Sequence, residues 1–364
     1  MSDKARYIMM GGFLGAGKTT SVLQLARHLH GRGLKVGLIT NDQGAGLVDT
    51  ATLGAHGFPV EEIAGGCFCC RFHSLKDAAD TLTETTRPDV FIAEAVGSCT
   101  DLVATVSYPL RRIYGDRFTV APLTVVLDPR RALRIFELEP GRKFSEKVLY
   151  IYRKQLEEAR IILLNKIDIV DEDQRARLRT ALSEACPEAE VLDVSARSGD
   201  GMNDWFDRVT SREQTGGEAM EIDYALYGEG EALLGWLNAT LSFEAAEPVE
   251  GDAILLELSR SIQDRLEEEI AHLKMTLSPA TGSGEIATIN LVGNDFVPEA
   301  TLTLSEPVNR GEVVLNLRAE APPEALEAAV KAAMAEPTIA WTLDHVESFK
   351  PGQPEPVFRD AESS

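Results

Sequence analysis

Residues 12–19 form the first group whose types and spacing suit the binding of a phosphate chain. They read GFLGAGKT and match the pattern G-x-x-x-x-G-K-[ST]. In such a loop the backbone N–H groups and the dipole of the following helix face an anion. A lysine then reaches the terminal phosphates and a hydroxyl ligates Mg²⁺, so the sequence predicts these roles for Lys18 and Thr19. The other residues predicted to line the phosphates are Gly12, Gly15, Ala16, Gly17 and Thr20.

A second motif, N-K-x-D at residues 165–168, directly follows the apolar run RIILL. The carboxylate of Asp168 could accept hydrogen bonds from both N1–H and the 2-amino group of guanine. Adenine does not offer that pair of donors, so a site built around this carboxylate rejects it. Lys166 could lie along the base, and Asn165 could tie the neighbouring loops together. Ser195 and Ala196 follow a further predicted strand, where their backbone N–H groups could face guanine O6.

A carboxylate also follows the buried run DVFIA, at Glu94. In phosphate-loop proteins a carboxylate at this place holds Mg²⁺ or orients its water shell. Gly97, three residues later, allows the backbone to approach a γ-phosphate and to move when that group leaves. We therefore expect Lys18, Thr19 and Glu94 to carry out the hydrolysis of a nucleoside triphosphate.

The loop at residues 41–50, NDQGAGLVDT, follows the run LKVGLIT and is small, polar and glycine-rich, as expected of a mobile switch loop. The carboxyl ends of parallel strands are where ligands bind in open α/β sheets. Asp42 and Asp49 are therefore candidate ligands for Mg²⁺ or a second metal. Asp42 is also placed in the catalytic set, with Gln43 as the alternative residue for positioning water.

Three of the five cysteines lie within four residues, at Cys67, Cys69 and Cys70. Such spacing is not a disulfide framework and points to metal or redox chemistry. Thiolates are soft ligands that favour Zn²⁺ or Co²⁺ over Mg²⁺. Successive side chains of an extended segment point to opposite sides, so three equivalent ligands require a turn. Water, His73, Cys99 or Asp42 could complete the site. The alternative is a set of small buried cysteines or a redox-reactive thiol.

The elements that position these residues alternate between short apolar runs and amphipathic stretches up to about residue 212. This order predicts an α/β fold, a P-loop NTPase domain with a mostly parallel sheet at residues 1–215. Residues 216–350 are richer in strand patterns and predict a smaller α+β domain. Within it, residues 252–272 are predicted to form one long amphipathic helix. Residues 351–364 are proline-rich and predicted to form a flexible tail.

The distribution of charged and apolar residues limits the kinds of partner that we expect. Residues 1–215 carry 28 basic and 30 acidic side chains, whereas residues 216–364 carry 8 and 28. An acidic half of this kind repels polyanions, so nucleic acid is not expected as a partner. No stretch approaches the ~20 apolar residues of a membrane helix, so no membrane association is expected. The chain enters its first strand without a signal-peptide pattern, and we expect a cytoplasmic protein.

The segments GGFLGAGKTT, GGCFCC, EAVG and NKID, in this order and at these distances, resemble the CobW-type GTPases. These are P-loop proteins related to the HypB and UreG maturation GTPases. The resemblance covers about the first 210 residues, and its distinctive part is the C-x-C-C motif. Many relatives read N-E-F-G where this chain has N-D-Q-G at residues 41–44, so a longer carboxylate is replaced by Asp42.

The resemblance implies GTP hydrolysis coupled to transition-metal binding at C-x-C-C. It points to a metallochaperone that delivers Zn²⁺ or Co²⁺ to a client metalloprotein, a cobalamin-dependent enzyme or a cofactor pathway. Slow intrinsic turnover is expected, limited by a missing partner or by a GTP-dependent homodimer. Two alternatives stay open: a GTPase that gates cobalamin loading with merely structural cysteines, and a metal-binding or sensing module without catalysis. A P-loop small-molecule kinase is disfavoured, because NKID has no role there.

Overall fold

The computed structural model describes residues 4–44, 48–282, 284–335 and 339–361, without the side chain of Ala51. The chain divides into two compact units. The first contains the described residues of Met1–Gln43, His56–Gly230 and Gln353–Ser364, and the second those of Gly44–Ala55 and Glu231–Gly352. Each unit is therefore assembled from separate stretches of the chain, in contrast to the predicted consecutive domains 1–215 and 216–350.

The first unit is built on a sheet of eight described strands, all paired in parallel. In chain order they are β1 (Ala5–Gly11), β2 (Val36–Asn41), β3 (Val60–Ile63), β4 (Val90–Glu94), β5 (Phe118–Val120), β6 (Thr124–Leu127), β7 (Ile161–Leu164) and β8 (Glu190–Asp193). Across the sheet the order is β3-β2-β4-β1-β6-β7-β8, and β5 also pairs with β1. The mostly parallel α/β fold predicted for this part of the chain is confirmed.

Helices connect these strands, as parallel pairing requires. They are α1 (Lys18–Gly31), α3 (Phe72–Thr85), α4 (Tyr108–Tyr114), α5 (Pro129–Ile135), α6 (Glu146–Glu157), α7 (Glu172–Ala185) and α8 (Met202–Ser211), while α2 (Val48–Ala55) lies in the second unit and α9 (Tyr224–Leu233) leads into it. A π-helical turn at Val103–Ser107 precedes α4, and a 3₁₀ turn at Ile167–Ile169 follows β7. Among the residues described, no helix is long and apolar enough to cross a membrane.

The strands at the centre of this sheet are buried along their whole length, as in β2, β4, β6 and β7. A strand covered on both faces has no room for polar side chains within it, so they collect where each strand ends. Parallel strands bring these ends to one edge of the sheet. The loops at this edge carry the predicted site residues, including Asn41 at the end of β2, Glu94 at the end of β4 and Asn165 just after β7.

The second unit contains an antiparallel sheet of six described strands in the order β12-β11-β10-β13-β9-β14. Its strands are β9 (Gly235–Val249), β10 (Ile270–Pro279), β11 (Ala287–Leu291), β12 (Glu299–Leu302), β13 (Val308–Ala319) and β14 (Ala340–Phe349), and its remaining helices are α10 (Gly251–Gln263) and α11 (Pro323–Met334). Leu237, Leu241, Leu315 and Leu317 point to the same face as the core residues of α10 and α11. The predicted α+β character of this part of the chain is thus confirmed.

The predicted single helix at residues 252–272 is wrong beyond Gln263. Helix α10 ends there, and β10 begins at Ile270. Leu266 and Ile270 continue the helical spacing, which is why the pattern misled. Pairing decides the conformation, because β10 lies between β11 and β13 and bonds to both, and such tertiary contacts override local propensity.

Candidate functional site

The glycine-rich loop after β1 adopts a backbone conformation that leaves no room for a Cβ atom at two positions. Gly12 has φ +127°, and a Cβ there would lie 2.4 Å from the carbonyl oxygen of Val126. Gly17 has φ +99°, and a Cβ there would lie 2.4 Å from Nδ2 of Asn165. Both positions combine a positive φ with close approach of another part of the chain, strand β6 at Gly12 and the loop of Asn165 at Gly17, which only glycine tolerates. The loop then enters α1 at Lys18, so the N–H groups of the first helical turn lie at the carboxyl edge of the sheet.

The two predicted phosphate and magnesium residues stand at the start of α1. Lys18 is buried, and its Nζ donates to the carbonyl oxygen of Gly12 at 2.9 Å. The Thr19 hydroxyl donates to Oε1 of Glu94 at 3.0 Å. The structure therefore places a hydroxyl and a carboxylate side by side next to the glycine loop. Oxygen ligands of this kind are those that Mg²⁺ prefers, and the two residues fit a magnesium ion shared with phosphate oxygens.

Asn165 joins the two loops predicted to hold the nucleotide. Its Nδ2 donates to the carbonyl oxygen of Ala16 at 2.9 Å, and its Oδ1 accepts from the backbone N–H of Ala196 at 2.9 Å. Gln24 of α1 adds a bond from Nε2 to the carbonyl oxygen of Ala196 at 2.8 Å. The structure thus brings the glycine loop, the N-K-x-D loop and the 195–196 turn together in the way predicted for Asn165.

The other residues predicted to bind the guanine base are Asp168, Ser195 and Ala196. Asp168 is exposed in the 3₁₀ turn after β7, where its carboxylate is accessible to a ligand. The backbone N–H of Ser195 donates to the carbonyl oxygen of Asp200 at 2.9 Å, and that of Ala196 is bonded to Asn165. Both N–H groups predicted to face guanine O6 are therefore engaged within the protein. The Ser195 N–H closes the turn after β8 and the Ala196 N–H joins this turn to the N-K-x-D loop, and a role for the two residues at guanine O6 stays a prediction.

Asp128 and Arg131 belong to this edge of the sheet although the sequence analysis assigned them no role. Asp128 caps α5 by accepting from the backbone N–H of Arg131 at 2.9 Å, and it pairs with Nζ of Lys166 at 2.7 Å. Burial alone would raise the pKa of Asp128, but the cations of Lys166 and Arg131 leave this pKa below its ordinary value. Lys166 also donates to the carbonyl oxygen of Gly15 at 2.9 Å. The signal in the sequence is an Asp-Pro pair after a buried strand, which is typical of a helix start.

The three clustered cysteines lie in a turn between β3 and α3. The N–H groups of Cys70 and Arg71 both donate to the carbonyl oxygen of Cys67, at 3.1 and 2.9 Å, which closes the turn that three equivalent ligands require. The sulfurs of Cys67 and Cys69 are 2.7 Å apart, those of Cys67 and Cys70 3.3 Å, and those of Cys69 and Cys70 3.7 Å. Cys67 and Cys69 are buried, whereas Cys70 is half-buried.

The three thiols of the turn differ in pKa. Hydrogen bonds from Cys69, Cys70 and Cys99 hold the pKa of Cys67 well below its ordinary value. The same contacts, with burial, raise the pKa of Cys69 well above its ordinary value, and the bond with Cys67 raises the pKa of Cys70 to about 11. The cluster therefore favours a single thiolate at Cys67, stabilised by the thiols around it.

The sulfur cluster fits a thiophilic metal ion. A zinc–sulfur bond of about 2.3 Å in a tetrahedron separates the ligand sulfurs by about 3.8 Å, so small movements would accommodate an ion. Among the described residues, the three thiols form the group of metal-ligating side chains that lie within 4.8 Å of one another. His73, Cys99 and Asp42, which were all considered as additional ligands, are not part of that group. The His73 ring is exposed and packs against Phe72 and Phe358.

The end of the chain covers the cysteine turn. The N–H of Glu355 donates to Sγ of Cys70 at 3.2 Å, and that of Val357 donates to the carbonyl oxygen of Cys69 at 2.9 Å. The ring of Phe358 lies 5.1 Å from that of Phe72, between centroids. Residues 353–361 thus bond to the first unit, whereas a flexible tail was predicted for residues 351–364.

Charged groups hold the same segment further along. Arg359 donates from Nε to Oδ2 of Asp101 at 2.8 Å, and Asp360 accepts two bonds from Arg112 at 2.8 and 3.2 Å. Asp101 is buried and also accepts from the hydroxyl of Tyr224 at 2.6 Å. Burial raises the pKa of Asp101 even though both partners act against the increase. The C-terminal segment therefore supplies the cation that compensates a buried carboxylate.

The two aspartates of the predicted switch loop, Asp42 and Asp49, belong to different units of the structure. Asp42 stays in the first unit, where its backbone N–H donates to the carbonyl oxygen of Ile63 at 3.1 Å. Residues 45–47 lie outside the described residues. Asp49 belongs to α2 in the second unit, and both of its carboxylate oxygens pair with Nζ of Lys274, at 2.7 and 2.8 Å. The proposed role of Asp49 as a metal ligand is therefore corrected to an ion pair with β10.

Comparison with known proteins agrees with these features. The family described as CobW/HypB/UreG, nucleotide-binding domain, matches residues 6–193. The chain is 32% identical over 163 residues to the zinc chaperone YeiR of Escherichia coli, which covers 44% of this chain and 46% of that one. It is 27% identical over 215 residues to the zinc chaperone CobW of a Sinorhizobium species, covering 52% and 58%. The matches thus span about half the length of these relatives.

Among solved structures, the chain is similar to HypB from Helicobacter pylori in complex with nickel, at 19% identity and a TM-score of 0.42. That similarity covers 57% of this chain and 85% of HypB. The Zn(II)-bound YjiA GTPase from E. coli is 15% identical with a TM-score of 0.34, over 91% of this chain and 99% of YjiA. Because the family match covers more than half of the sequence and includes the glycine loop, the cysteine turn and the N-K-x-D loop, the chain belongs to the CobW/HypB/UreG family of nucleotide-binding proteins.

Proposed function

We propose that this protein is a GTP-hydrolysing metallochaperone that carries a thiophilic ion of the zinc or cobalt class to a client protein or cofactor pathway. The observation that carries the proposal is the cluster of three thiols in the same compact unit as the glycine loop and the N-K-x-D loop. Relatives named zinc chaperones support the metal class. The proposed client is a metalloprotein or a cobalamin-dependent enzyme.

Each nucleotide-site residue has a role in this proposal. Lys18 and the N–H groups of the glycine loop bind the phosphates, and Asp168 selects guanine. Thr19 and Glu94 would hold Mg²⁺, which would supply positive charge against the charge that develops on the phosphate oxygens during hydrolysis. Asp42 remains the candidate for orienting the attacking water. We expect slow intrinsic turnover, accelerated by a client or by a second copy of the chain that completes the site.

The loops provide a route by which the γ-phosphate influences the cysteines. A Cβ at Gly97 would lie 2.9 Å from the backbone nitrogen of Leu14, so the loop after β4 abuts the glycine loop. On the other side, Nδ2 of Asn41 at the end of β2 donates to the carbonyl oxygen of Gly66 at 2.7 Å, directly before the cysteine turn. Movement of either loop on hydrolysis would therefore be transmitted to the turn, and metal affinity would depend on the bound nucleotide.

The test is an anaerobic Co²⁺ titration of the full chain, with GDP and with a non-hydrolysable GTP analogue. We expect sulfur-to-cobalt charge-transfer bands in both states and a different dissociation constant in each. The variant Cys67→Ser should lose part of the intensity of these bands, whereas Cys186→Ser should keep all of it, because Cys186 lies outside the cluster. Equal affinities in the two nucleotide states would contradict coupling, and the absence of charge-transfer bands would contradict metal binding at the turn.

A further inference from the structure

The part of the switch loop that forms α2 is attached to the antiparallel sheet of the second unit. Asp49, in the first turn of α2, accepts two bonds from Nζ of Lys274 on β10, and the side chains of this ion pair are only 22% and 15% exposed. The N–H of Val48 donates to Oδ1 of Asn316 on β13 at 3.0 Å. Lys274 and Asn316 alternate along their strands with core residues, so they lie on the sheet face opposite to the core.

A buried polar network lies behind these two attachments. Oδ1 of Asn238, on β9, accepts from Nδ2 of Asn316 at 3.0 Å and from Nη2 of Arg318 at 2.8 Å. Arg318 is fully buried, and its guanidinium lies 4.1 Å from the ring centroid of Trp236. These two donors fix which end of the Asn238 amide is the oxygen, and therefore also where its nitrogen points.

The nitrogen of this amide faces the backbone of the switch loop. Nδ2 of Asn238 is buried and has no hydrogen-bond partner within the described part of the chain. A Cβ built on Gly44 would lie 2.1 Å from this atom, so the loop passes directly over it. A buried donor that is left unpaired costs free energy. A small shift of the loop that brings a carbonyl oxygen to Nδ2 of Asn238 would therefore be favourable.

We propose that Lys274, Asn316 and Asn238 are positioning residues for GTP hydrolysis, which hold the switch loop so that Asp42 can orient the attacking water. This inference rests on the proposed function and deepens it. Asp42 lies two residues before Gly44, so no more than about 7.6 Å of chain joins their Cα atoms. The loop is then biased at one end by the γ-phosphate and at the other by the second sheet, and the two influences are reciprocal.

The experiment compares the steady-state GTP hydrolysis of full-length variants. We expect Lys274→Met to lower kcat about tenfold, the effect of losing one charge-assisted interaction, and to leave KM for GTP unchanged, because Lys18 and the glycine loop still bind the phosphates. Asp49→Asn should act in the same way. The double variant should be no slower than either single variant, because the second change removes an interaction that is already lost.

The matched control is Lys331→Met, which removes an exposed ion pair with Glu327 on α11 of the same unit. Its kcat and KM should equal those of wild type. A Lys274→Met variant with the kcat of wild type would overturn the inference, as would a rise in KM without a change in kcat. Wild-type protein that does not hydrolyse GTP at all would defeat the proposed function itself, so the two failures are distinguishable.

A second measurement needs no variant and therefore does not depend on whether Lys274→Met folds. Hydrogen exchange of the wild-type chain is compared with GDP and with a non-hydrolysable GTP analogue bound. The amides of α2, including the Val48 N–H that donates to Asn316, should exchange more slowly with the GTP analogue, whereas those of α11 should exchange equally in both states. Equal exchange of α2 in the two states would refute the coupling between the γ-phosphate and the sheet.

Discussion

At the scale of single residues, Asp168 is the side chain expected to select the base. In Asp168→Asn an amide replaces an ionised acceptor, so one of the two guanine donors meets another donor. Hydrogen bonds to charged groups contribute about 1.5–3 kcal/mol each, and we expect GDP affinity to fall by at least about 100-fold. Xanthine carries an oxygen in place of the 2-amino group, so the variant should bind XDP better than GDP. Isothermal titration with both nucleotides measures the change.

The matched control for this prediction is Asp207→Asn, an exposed aspartate on α8. It makes the same change of charge and should leave both affinities unaltered. Unchanged GDP binding by Asp168→Asn would remove this residue from the base site and with it the argument for guanine specificity.

The motifs predicted the positions of the site residues better than the contacts of those residues. The glycine loop, Glu94 and Asn165 lie where the sequence analysis expected them, because each lies at the end of a buried strand and the carboxyl ends of parallel strands meet. The contacts that complete the site come from elsewhere in the chain. Asp128 pairs with Lys166, and Gln155 bonds to the loop of Cys99. No local pattern predicts such contacts, since they depend on which strands become neighbours.

At the scale of elements, local patterns failed where tertiary contacts decide the conformation. The helical pattern was predicted to run to His272, yet Ile270 begins β10, because this strand pairs with strands on both sides. The C-terminal segment has the composition of a flexible tail, yet its backbone bonds to the cysteine turn and Arg359 reaches a buried carboxylate. Composition describes what a segment does in isolation. The residues to which the C-terminal segment bonds, Cys70 and Asp101, are more than 250 residues away in the chain.

The reactivity of the Cys70 thiol reports whether the C-terminal segment is attached to the cysteine turn. The Phe358 ring packs against Phe72 and under the guanidinium of Arg112. Removing it in Phe358→Ala should cost the attached state about 1–2 kcal/mol. The segment would then detach more often, and we expect the metal-free Cys70 thiol to react about 5- to 30-fold faster with a thiol reagent.

The reaction is followed spectrophotometrically with chelator present, so that no ion protects the sulfurs. Val357→Ala serves as the control, because Val357 is 40% exposed and its backbone N–H, which the substitution keeps, makes the bond to the turn. If Phe358→Ala and Val357→Ala react at the same rate as wild type, the segment does not limit access to Cys70.

At the scale of the whole molecule, the acidic composition has little influence on how stability changes near neutral pH. In model peptides Asp and Glu titrate near pH 4, well below the interval from about pH 5.5 to 8. A buried carboxyl group with a raised pKa does titrate in this window. Glu158, which follows the last residue of α6, is such a group, because burial and the nearby Asp101 carboxylate raise its pKa to about 8.

The sign of its effect on stability follows from proton binding. Below its pKa in the folded chain Glu158 keeps its proton, whereas in the unfolded chain it releases it above about pH 4.3. The folded state thus binds more protons than the unfolded state, and stability falls as pH rises through this interval. The loss amounts to at most about 1.4 kcal/mol per pH unit and stops above the folded-state pKa.

We expect Glu158→Gln to remove this contribution. A glutamine can imitate the protonated acid, since its oxygen can accept from the N–H of Val103 and its amide can donate to the hydroxyl of Thr100, the two groups that now contact the carboxyl. The variant should therefore match wild type near pH 5 and become more stable than wild type towards pH 8, as followed by thermal unfolding. Glu157→Gln, at an exposed neighbour on α6, should show the pH dependence of wild type. A difference between Glu158→Gln and wild type that stays constant from pH 5 to 8 would mean that Glu158 is ionised throughout, and that Arg359 and its segment balance two buried negative charges instead of one.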